Sequence, residues 1–202
     1  MRLLETLFDI ICPEQTRMNI KKENERLHSS RKSARENQKD LNKVFPNAPH
    51  APSYFNAQEF INKLQETDKM SAYIYICNNT PGGALDYKLS GTRTKNSIEF
   101  ENWGNYFFGA TSESRGWNDQ VSLYGAGAIQ LLTGRFDSNN CNTKYHCDQP
   151  KDQKKIRSGQ SDVKDYIKMN EWRQRIIKQL KGIKANSIEN DRIETPGNDK
   201  IA

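Results

Sequence analysis

Three acidic side chains in this sequence have neighbours that suit acid–base catalysis. Glu101 stands between Phe100 and Trp103, and burial beside such apolar side chains raises the pKa of a carboxyl group. Asp119 and Asp148 are candidates for a second, ionised carboxylate, because a helix N-terminus or backbone N–H donors would keep it charged. Cleavage of a glycosidic bond needs such a pair. The pattern predicts a lysozyme-like glycosidase, with Glu101 as the proton donor and Asp119 or Asp148 as the water-activating carboxylate.

Glu101 and Asp119 lie in a block of aromatics and glycines, residues 101–134, between highly charged flanks. Polar side chains beside buried aromatics are costly unless they are paired, and a ligand is one possible partner. Flat rings offer faces on which sugars stack, and side-chain amides suit N-acetyl groups. The predicted substrate-binding residues are Trp103, Asn105, Tyr106, Thr111, Gln130, His146 and Asp152. This mechanism requires neither a metal nor a cofactor.

The distribution of charge bears on the class of ligand. The 202 residues include 31 Lys and Arg against 25 Asp and Glu, and the pI near 9.1 would by itself favour nucleic acid. The positive surplus lies towards the two ends, because residues 51–170 hold 14 Lys and Arg against 13 Asp and Glu. A nearly neutral middle does not require a polyanionic ligand, and it suits a cell-wall substrate such as peptidoglycan.

Two other functions remain open from the residues alone. A metal-independent ribonuclease would use His146 with Glu101 as base and acid, and cations such as Lys144, Arg115 and Arg135 on the phosphate. His146 is the only histidine of residues 51–202, and a lone histidine in a polar loop is usually a surface residue. The third interpretation is a non-enzymatic domain, whose aromatic patch would bind a partner.

The elements that would position these residues are predicted to include a sheet. Ala72–Cys77 is rich in β-branched and aromatic residues, and residues 85–89 and 97–100 alternate between apolar and polar types. These segments predict three strands of a small antiparallel sheet. Capping residues and apolar spacing predict helices over 57–67, 119–132 and 162–184. The expected fold class is α+β, with the sheet packed against the helices.

One predicted helix contains two glycines near its centre. The run Gly125-Ala126-Gly127-Ala128 lowers the helix propensity of residues 119–132. Such a cost indicates that another helix or a ligand packs very close to this backbone.

The ends of the chain differ from its middle in composition. Prolines between residues 46 and 52 break any helix there. We expect a helical or partly disordered extension over 1–52, a catalytic domain over 53–185 and a disordered tail over 186–202. The first twelve residues lack the features of a signal peptide, and no segment is apolar enough for a membrane span. Export would then need a dedicated apparatus or a carrier.

Cys141 and Cys147 bracket a short polar loop. Their spacing permits a disulfide, which would suit an oxidising compartment such as a periplasm. A metal site with His146 and a pair of free thiols are the alternatives, and the sequence leaves them open.

Three blocks of sequence resemble the bacterial polymorphic toxin type 44 domain. The segment Glu101–Ala110, ENWGNYFFGA, resembles that family's acidic-x-x-Gly-Asn-aromatic-x-aromatic-Gly-Ala signature. A helix with the pair Ala126-Gly127 and Gln130 follows, and DQPKDQ at 148–153 resembles an Asp-x-Pro-x-Asp-Gln segment. The resemblance covers about residues 70–170, and this chain departs from it by the inserted loop between Cys141 and Cys147.

The resemblance implies a bacterial toxin used against competing bacteria. Domains of this kind are typically the cargo of larger secreted proteins or of contractile systems, and they usually travel with a neutralising immunity protein. Combined with the carboxylates, it predicts an antibacterial effector that degrades peptidoglycan in the periplasm of the target cell. The ribonuclease alternative would act in the target cytoplasm.

Overall fold

The described part of the chain is helical. A computed structural model describes residues 31–80, 85–87, 97–132, 134 and 136–193, and no strand occurs among them. The chain divides into two compact units, Met1–Lys164 and Asp165–Ala202. The helices are α1 (Arg31–Val44), α2 (Ala57–Asp68), α3 (Ala72–Asn79), α4 (Ser97–Ser114), α5 (Asp119–Leu132) and α6 (Pro150–Ile193), with a short 3₁₀ helix at Ser138–Asn140.

The predicted α+β fold is wrong, because the predicted strands do not form. Ala72–Cys77 lies in α3, where the hydroxyl of Ser71 accepts a hydrogen bond from the backbone N–H of Ile74 at 3.2 Å. Residues 97–100 form the first turn of α4. Of the segment 85–89, only residues 85–87 are described, and they contain no strand. Strand propensity is a weak preference that depends on packing, and here a helix cap and the aromatic core override it.

The caps that predicted two of the helices are present in the structure. Asn56 Oδ1 accepts a hydrogen bond from the N–H of Glu59 at 2.8 Å and begins α2. Asn118 Oδ1 accepts one from the N–H of Val121 at 2.9 Å and begins α5. Gly134, with a φ of +66°, follows the end of α5, as predicted. The predictions of these two helices are confirmed.

The last helix begins earlier than predicted. We expected it to start near residue 162, whereas α6 starts at Pro150. Proline suits the first helical position because that residue needs no N–H donor there, and Asp152 in the first turn faces the positive end of the helix dipole. Only the part up to Lys164 belongs to the first unit.

Helix α1 packs within the core of the first unit. Leu41 and Phe45 are fully buried, and the rings of Phe45 and Phe60 lie 4.6 Å apart. Two hydrogen bonds tie α1 to the chain that follows it: Gln38 Oε1 accepts from the N–H of Ala51, and Asp40 Oδ2 from that of Ala57. The domain boundaries assigned from composition stay predictions.

The aromatic block forms the centre of this core rather than its surface. The ring of Trp103 lies 4.9 Å from that of Phe55 and 5.6 Å from that of Phe60, and Phe107 completes the cluster 5.9 Å from both Phe55 and Phe60. Edge-on and tilted contacts of this kind stabilise a core beyond its buried area. The same rings fix the position of α4, whose C-terminal end lines the cleft described below.

Two glycines allow α4 and α6 to cross with their backbones in contact. A Cβ built on Gly109 would lie 2.0 Å from the carbonyl oxygen of Ile156, and one built on Gly159 would lie 2.1 Å from that of Tyr106. No real Cβ approaches a backbone oxygen so closely. The crossing therefore requires glycine on both helices.

A disulfide-closed loop packs against the centre of α5. Cys141 and Cys147 are bonded, which decides among the three alternatives left open by their spacing. A Cβ built on Gly127 would lie 1.6 Å from the carbonyl oxygen of His146 in this loop. The close approach predicted for residues 125–128 is present at Gly127, but a loop backbone makes it rather than the helix or ligand that we expected.

Candidate active site

An open cleft lies where α4 ends and α5 begins. Its volume is about 570 Å³, and its lining includes two carboxylates, a lysine and a tryptophan. The residues that line it are Glu113, Gly116, Trp117, Asn118, Asp119, Gln120 and Lys164.

The turn between α4 and α5 shapes one wall of the cleft. Gly116 takes a φ of +71°, and its N–H donates to the carbonyl of Glu113 at 2.9 Å. The N–H of Trp117 donates back to the carbonyl of Ser112 at 3.0 Å, which closes α4. Because Asn118 then caps α5, Glu113 and Asp119 lie on the two sides of a short, well-bonded turn.

Lys164 joins the two carboxylates. Its Nζ lies 2.7 Å from Asp119 Oδ1 and 3.6 Å from Glu113 Oε2. The side chain of Glu113 is 15% exposed and that of Asp119 is 42% exposed. Since Asp119 Oδ1 and Glu113 Oε2 contact one nitrogen, these two oxygens lie no more than 6.3 Å apart. The cleft thus holds two carboxylates in unequal environments at short range.

The surroundings of Glu113 and Lys164 raise the pKa of both side chains. Burial raises the pKa of the Glu113 carboxyl; the Lys164 ammonium opposes this shift and the charge of Asp119 adds to it. The hydrogen bond to Asp119 raises the pKa of Lys164, so this lysine stays charged at neutral pH. Glu113 is therefore suited to donate a proton, and Asp119 is bonded to the Lys164 ammonium.

Trp117 supplies a flat apolar wall. Its ring is half-buried and packs edge-on against Tyr75 at 5.1 Å, while the Arg115 guanidinium lies 5.5 Å from its centre. Arg115 is itself fixed over the ring of Tyr75 and donates hydrogen bonds to the carbonyls of Thr67 and Met70. A tryptophan held in this way can take the face of a sugar ring without rearrangement.

The structure places the predicted catalytic residues in two separate regions. Asp119 lines the cleft. Glu101 is half-buried near the start of α4, with Oε1 3.5 Å from Lys151 Nζ in the first turn of α6. Asp148 is 1% exposed, and its Oδ1 accepts a hydrogen bond from the N–H of Gln149 at 2.9 Å. The roles assigned to Glu101 and Asp148 stay predictions.

Several predicted substrate-binding residues lie in the interior. Trp103 and Tyr106 are 0% exposed, and Asn105 is 3% exposed. The hydroxyl of Tyr106 donates to Asp162 Oδ2 at 2.7 Å, and Asp162 also accepts hydrogen bonds from the N–H and the side-chain amide of Asn47. Burial raises the pKa of Tyr106, and the Asp162 charge adds to this. The Tyr106 hydroxyl is therefore paired within the core, whereas Trp103 Nε1 and Asn105 Nδ2 are buried without a hydrogen-bond partner among the described residues.

The remaining predicted binding residues are spread over the first unit. Thr111 is buried, and its hydroxyl lies 2.8 Å from that of Tyr75, whose pKa burial raises to about 12. Gln130 is half-buried on α5 and Asp152 is buried in the first turn of α6. His146 has a φ of +52° and stacks on Tyr124 at 3.8 Å between ring centres. Their assignment to substrate binding stays a prediction.

The chain has no match among known protein families, curated proteins or solved structures. The resemblance to the type 44 toxin domain therefore stays a prediction that rests on the three blocks of sequence. Among the described helices, none is both long and apolar enough to cross a membrane.

Sequence reasoning missed two members of the cleft, Glu113 and Lys164. A local signal existed for the first, because Glu113 lies in the block 101–134, shortly before Trp117 and Asp119. Lys164 carried no such signal, since it follows Asp119 by 45 residues and its contact depends on how α6 packs.

Proposed function

We propose that this protein is a glycoside hydrolase that cuts peptidoglycan and acts as an antibacterial effector. One observation carries the proposal: a carboxyl group with a raised pKa and a carboxylate paired to a lysine share an open cleft beside a tryptophan. Glu113 takes the role of proton donor that the sequence alone assigned to Glu101. Asp119, for which the sequence predicted activation of the water, becomes the nucleophile.

The chemistry follows from the positions of the two carboxyl groups. Glu113 donates its proton to the glycosidic oxygen as the bond to the anomeric carbon breaks. Asp119 attacks that carbon and forms a glycosyl ester. Glu113, now ionised, then takes a proton from a water molecule that attacks the same carbon and releases Asp119. The upper limit of 6.3 Å between these two oxygens favours this retaining course, because retaining enzymes hold their carboxyl groups about 5–5.5 Å apart and inverting enzymes roughly 6.5–9.5 Å apart.

Three further features support a cell-wall target. Residues 51–170 are close to electrically neutral, so a polyanionic substrate is not required. The bond between Cys141 and Cys147 suits an oxidising space such as the periplasm. The resemblance to a toxin family implies delivery to a competing cell together with an immunity protein, and a partner that covers the cleft would serve that purpose.

The direct test is digestion of purified sacculi. We expect the protein to release soluble fragments with new reducing ends from peptidoglycan and to leave single-stranded RNA intact under the same conditions. Chromatography and mass spectrometry of the fragments identify the bond. Degradation of RNA with untouched sacculi would refute the proposal and favour the ribonuclease alternative.

The compartment of action is tested in living bacteria. Expression fused to an export signal should arrest growth and lyse the host, whereas expression in the cytoplasm should be tolerated, because the substrate lies outside the inner membrane. Colony counts and microscopy after induction measure the difference. Stronger toxicity in the cytoplasm would contradict a wall target.

A further inference from the structure

A second groove, of about 420 Å³, lies on the first unit and does not include the candidate catalytic residues. One of its walls is a single face of α6, since the lining positions 150, 153, 154, 157, 158 and 161 follow helical spacing. The other wall is formed by Asn47 and by Lys144 and Tyr145 of the disulfide-closed loop. The side-chain amide of Gln153 donates to the carbonyl of Tyr145 and joins the two walls.

The charge of this groove is positive and is not neutralised. Lys144, Lys154 and Arg157 line it and are exposed, and no Asp or Glu of the described residues lines it. Lys154 and Arg157 make no ion pair with a described residue. Three cations around one concave surface attract anions, and the strength of such binding falls as salt is added.

The other lining groups narrow the class of anion. Ser161 offers an exposed hydroxyl and Arg157 a planar set of donors, which both suit phosphate oxygens. A site for single-stranded nucleic acid usually adds aromatic faces on which bases stack. Tyr145 is the one aromatic residue in the lining, and the ammonium of Lys144 lies 5.0 Å from its ring centre, over one face. The groove therefore fits a phosphate chain that carries no bases.

We propose that this groove binds the phosphodiester backbone of a polyol-phosphate polymer, such as the anionic polymers attached to some bacterial cell walls. The inference rests on the proposed wall target. Lys154 and Arg157 hold successive phosphates along α6, and Lys144 closes on them from the opposite wall. Binding there retains the protein at the wall while the cleft at Glu113 and Asp119 cuts glycan.

The test measures binding of a fluorescently labelled glycerol-phosphate oligomer to the full chain by fluorescence anisotropy. The double variant Lys154→Gln/Arg157→Gln should bind about tenfold more weakly at low salt, and its affinity should depend less steeply on salt concentration. The matched control is Lys39→Gln/Lys69→Gln, which removes the same charge from exposed positions of the first unit outside the groove and should bind like the unchanged protein.

Three outcomes would overturn the inference: equal weakening by both double variants, unchanged binding in the groove variant, or tighter binding of single-stranded RNA with the same number of phosphates. Digestion of peptidoglycan stripped of anionic polymer separates this inference from the proposed function. The groove variant should digest it at the normal rate. If the unchanged protein does not digest it, the hydrolase proposal fails while the binding result still decides the groove.

Discussion

Replacement of Glu113 by Gln is expected to lower the rate of peptidoglycan digestion by about 10²–10⁴-fold, the usual contribution of a general acid. Gln has the shape of Glu but has no acidic proton to give to the glycosidic oxygen. The cleft and the contact with Lys164 have room for the amide, so the fold should be retained. The measurement is the release of reducing ends from sacculi, with circular dichroism and thermal unfolding as checks on folding.

The dependence of the digestion rate on pH provides a second test of Glu113 as the proton donor. Glu113 must be protonated to act, and its raised pKa extends activity to higher pH than an ordinary Glu would allow. Activity should therefore fall on the alkaline side as pH rises through the raised pKa of Glu113. Asp119→Asn removes the nucleophile and should lose most of the rate.

Glu101→Gln is the matched control, because it makes the same chemical change on the same helix outside the cleft. Glu101 pairs with Lys151 and does not line the cleft, so this variant should digest sacculi at close to the normal rate. The opposite result, an inactive Glu101→Gln and an active Glu113→Gln, would assign the role of proton donor to Glu101, as the sequence alone predicted.

Gly109→Ala is expected to destabilise the first unit by about 3 kcal/mol or more, at the upper end of the usual cost of overpacking. The new methyl group would lie 2.0 Å from the carbonyl oxygen of Ile156, which belongs to a helix backbone and cannot rotate away. Helices α4 and α6 must separate, and both Lys151 and Lys164 would then move relative to α4. A loss of this size is a large fraction of the about 5–15 kcal/mol that stabilises a typical domain. Urea unfolding followed by circular dichroism measures it.

Gly125→Ala is the control for this substitution. A Cβ on Gly125 would have Phe108 Cζ as its nearest neighbour, at an ordinary contact distance of 3.9 Å. The change should stabilise the protein by about 0.5–1 kcal/mol, because alanine favours the helix and restricts the unfolded chain. If both variants unfolded at the same urea concentration, the close crossing of α4 and α6 would not exist in solution.

Helix boundaries were predictable where a side chain bonds to its own local backbone. Asn56 and Asn118 cap the helices that they precede, and Gly134 ends α5 with a positive φ. The predicted strands rested on residue composition and alternation, and no strand occurs among the described residues. The β-branched and aromatic residues of 72–77 suggested a strand, but the helix that they form buries Tyr75 and Cys77 and leaves Tyr73, Ile74 and Ile76 exposed.

The sequence by itself determined the starts of α2 and α5 and placed Asp119 in the first turn of a helix. The block at 101–134 differed in composition from the rest of the chain. Only the tertiary structure decided whether that block forms the core or a binding surface. Trp103 and Tyr106 form the core, while Lys164 reaches Glu113 and Asp119 from a distant part of the chain. The physical reason is that a helix cap depends on neighbours in sequence, because its side chain bonds to backbone a few residues away. The contact of Lys164 with Glu113 and Asp119, and hence the pKa of Glu113, depends on how closely α4 and α6 approach each other at their glycines.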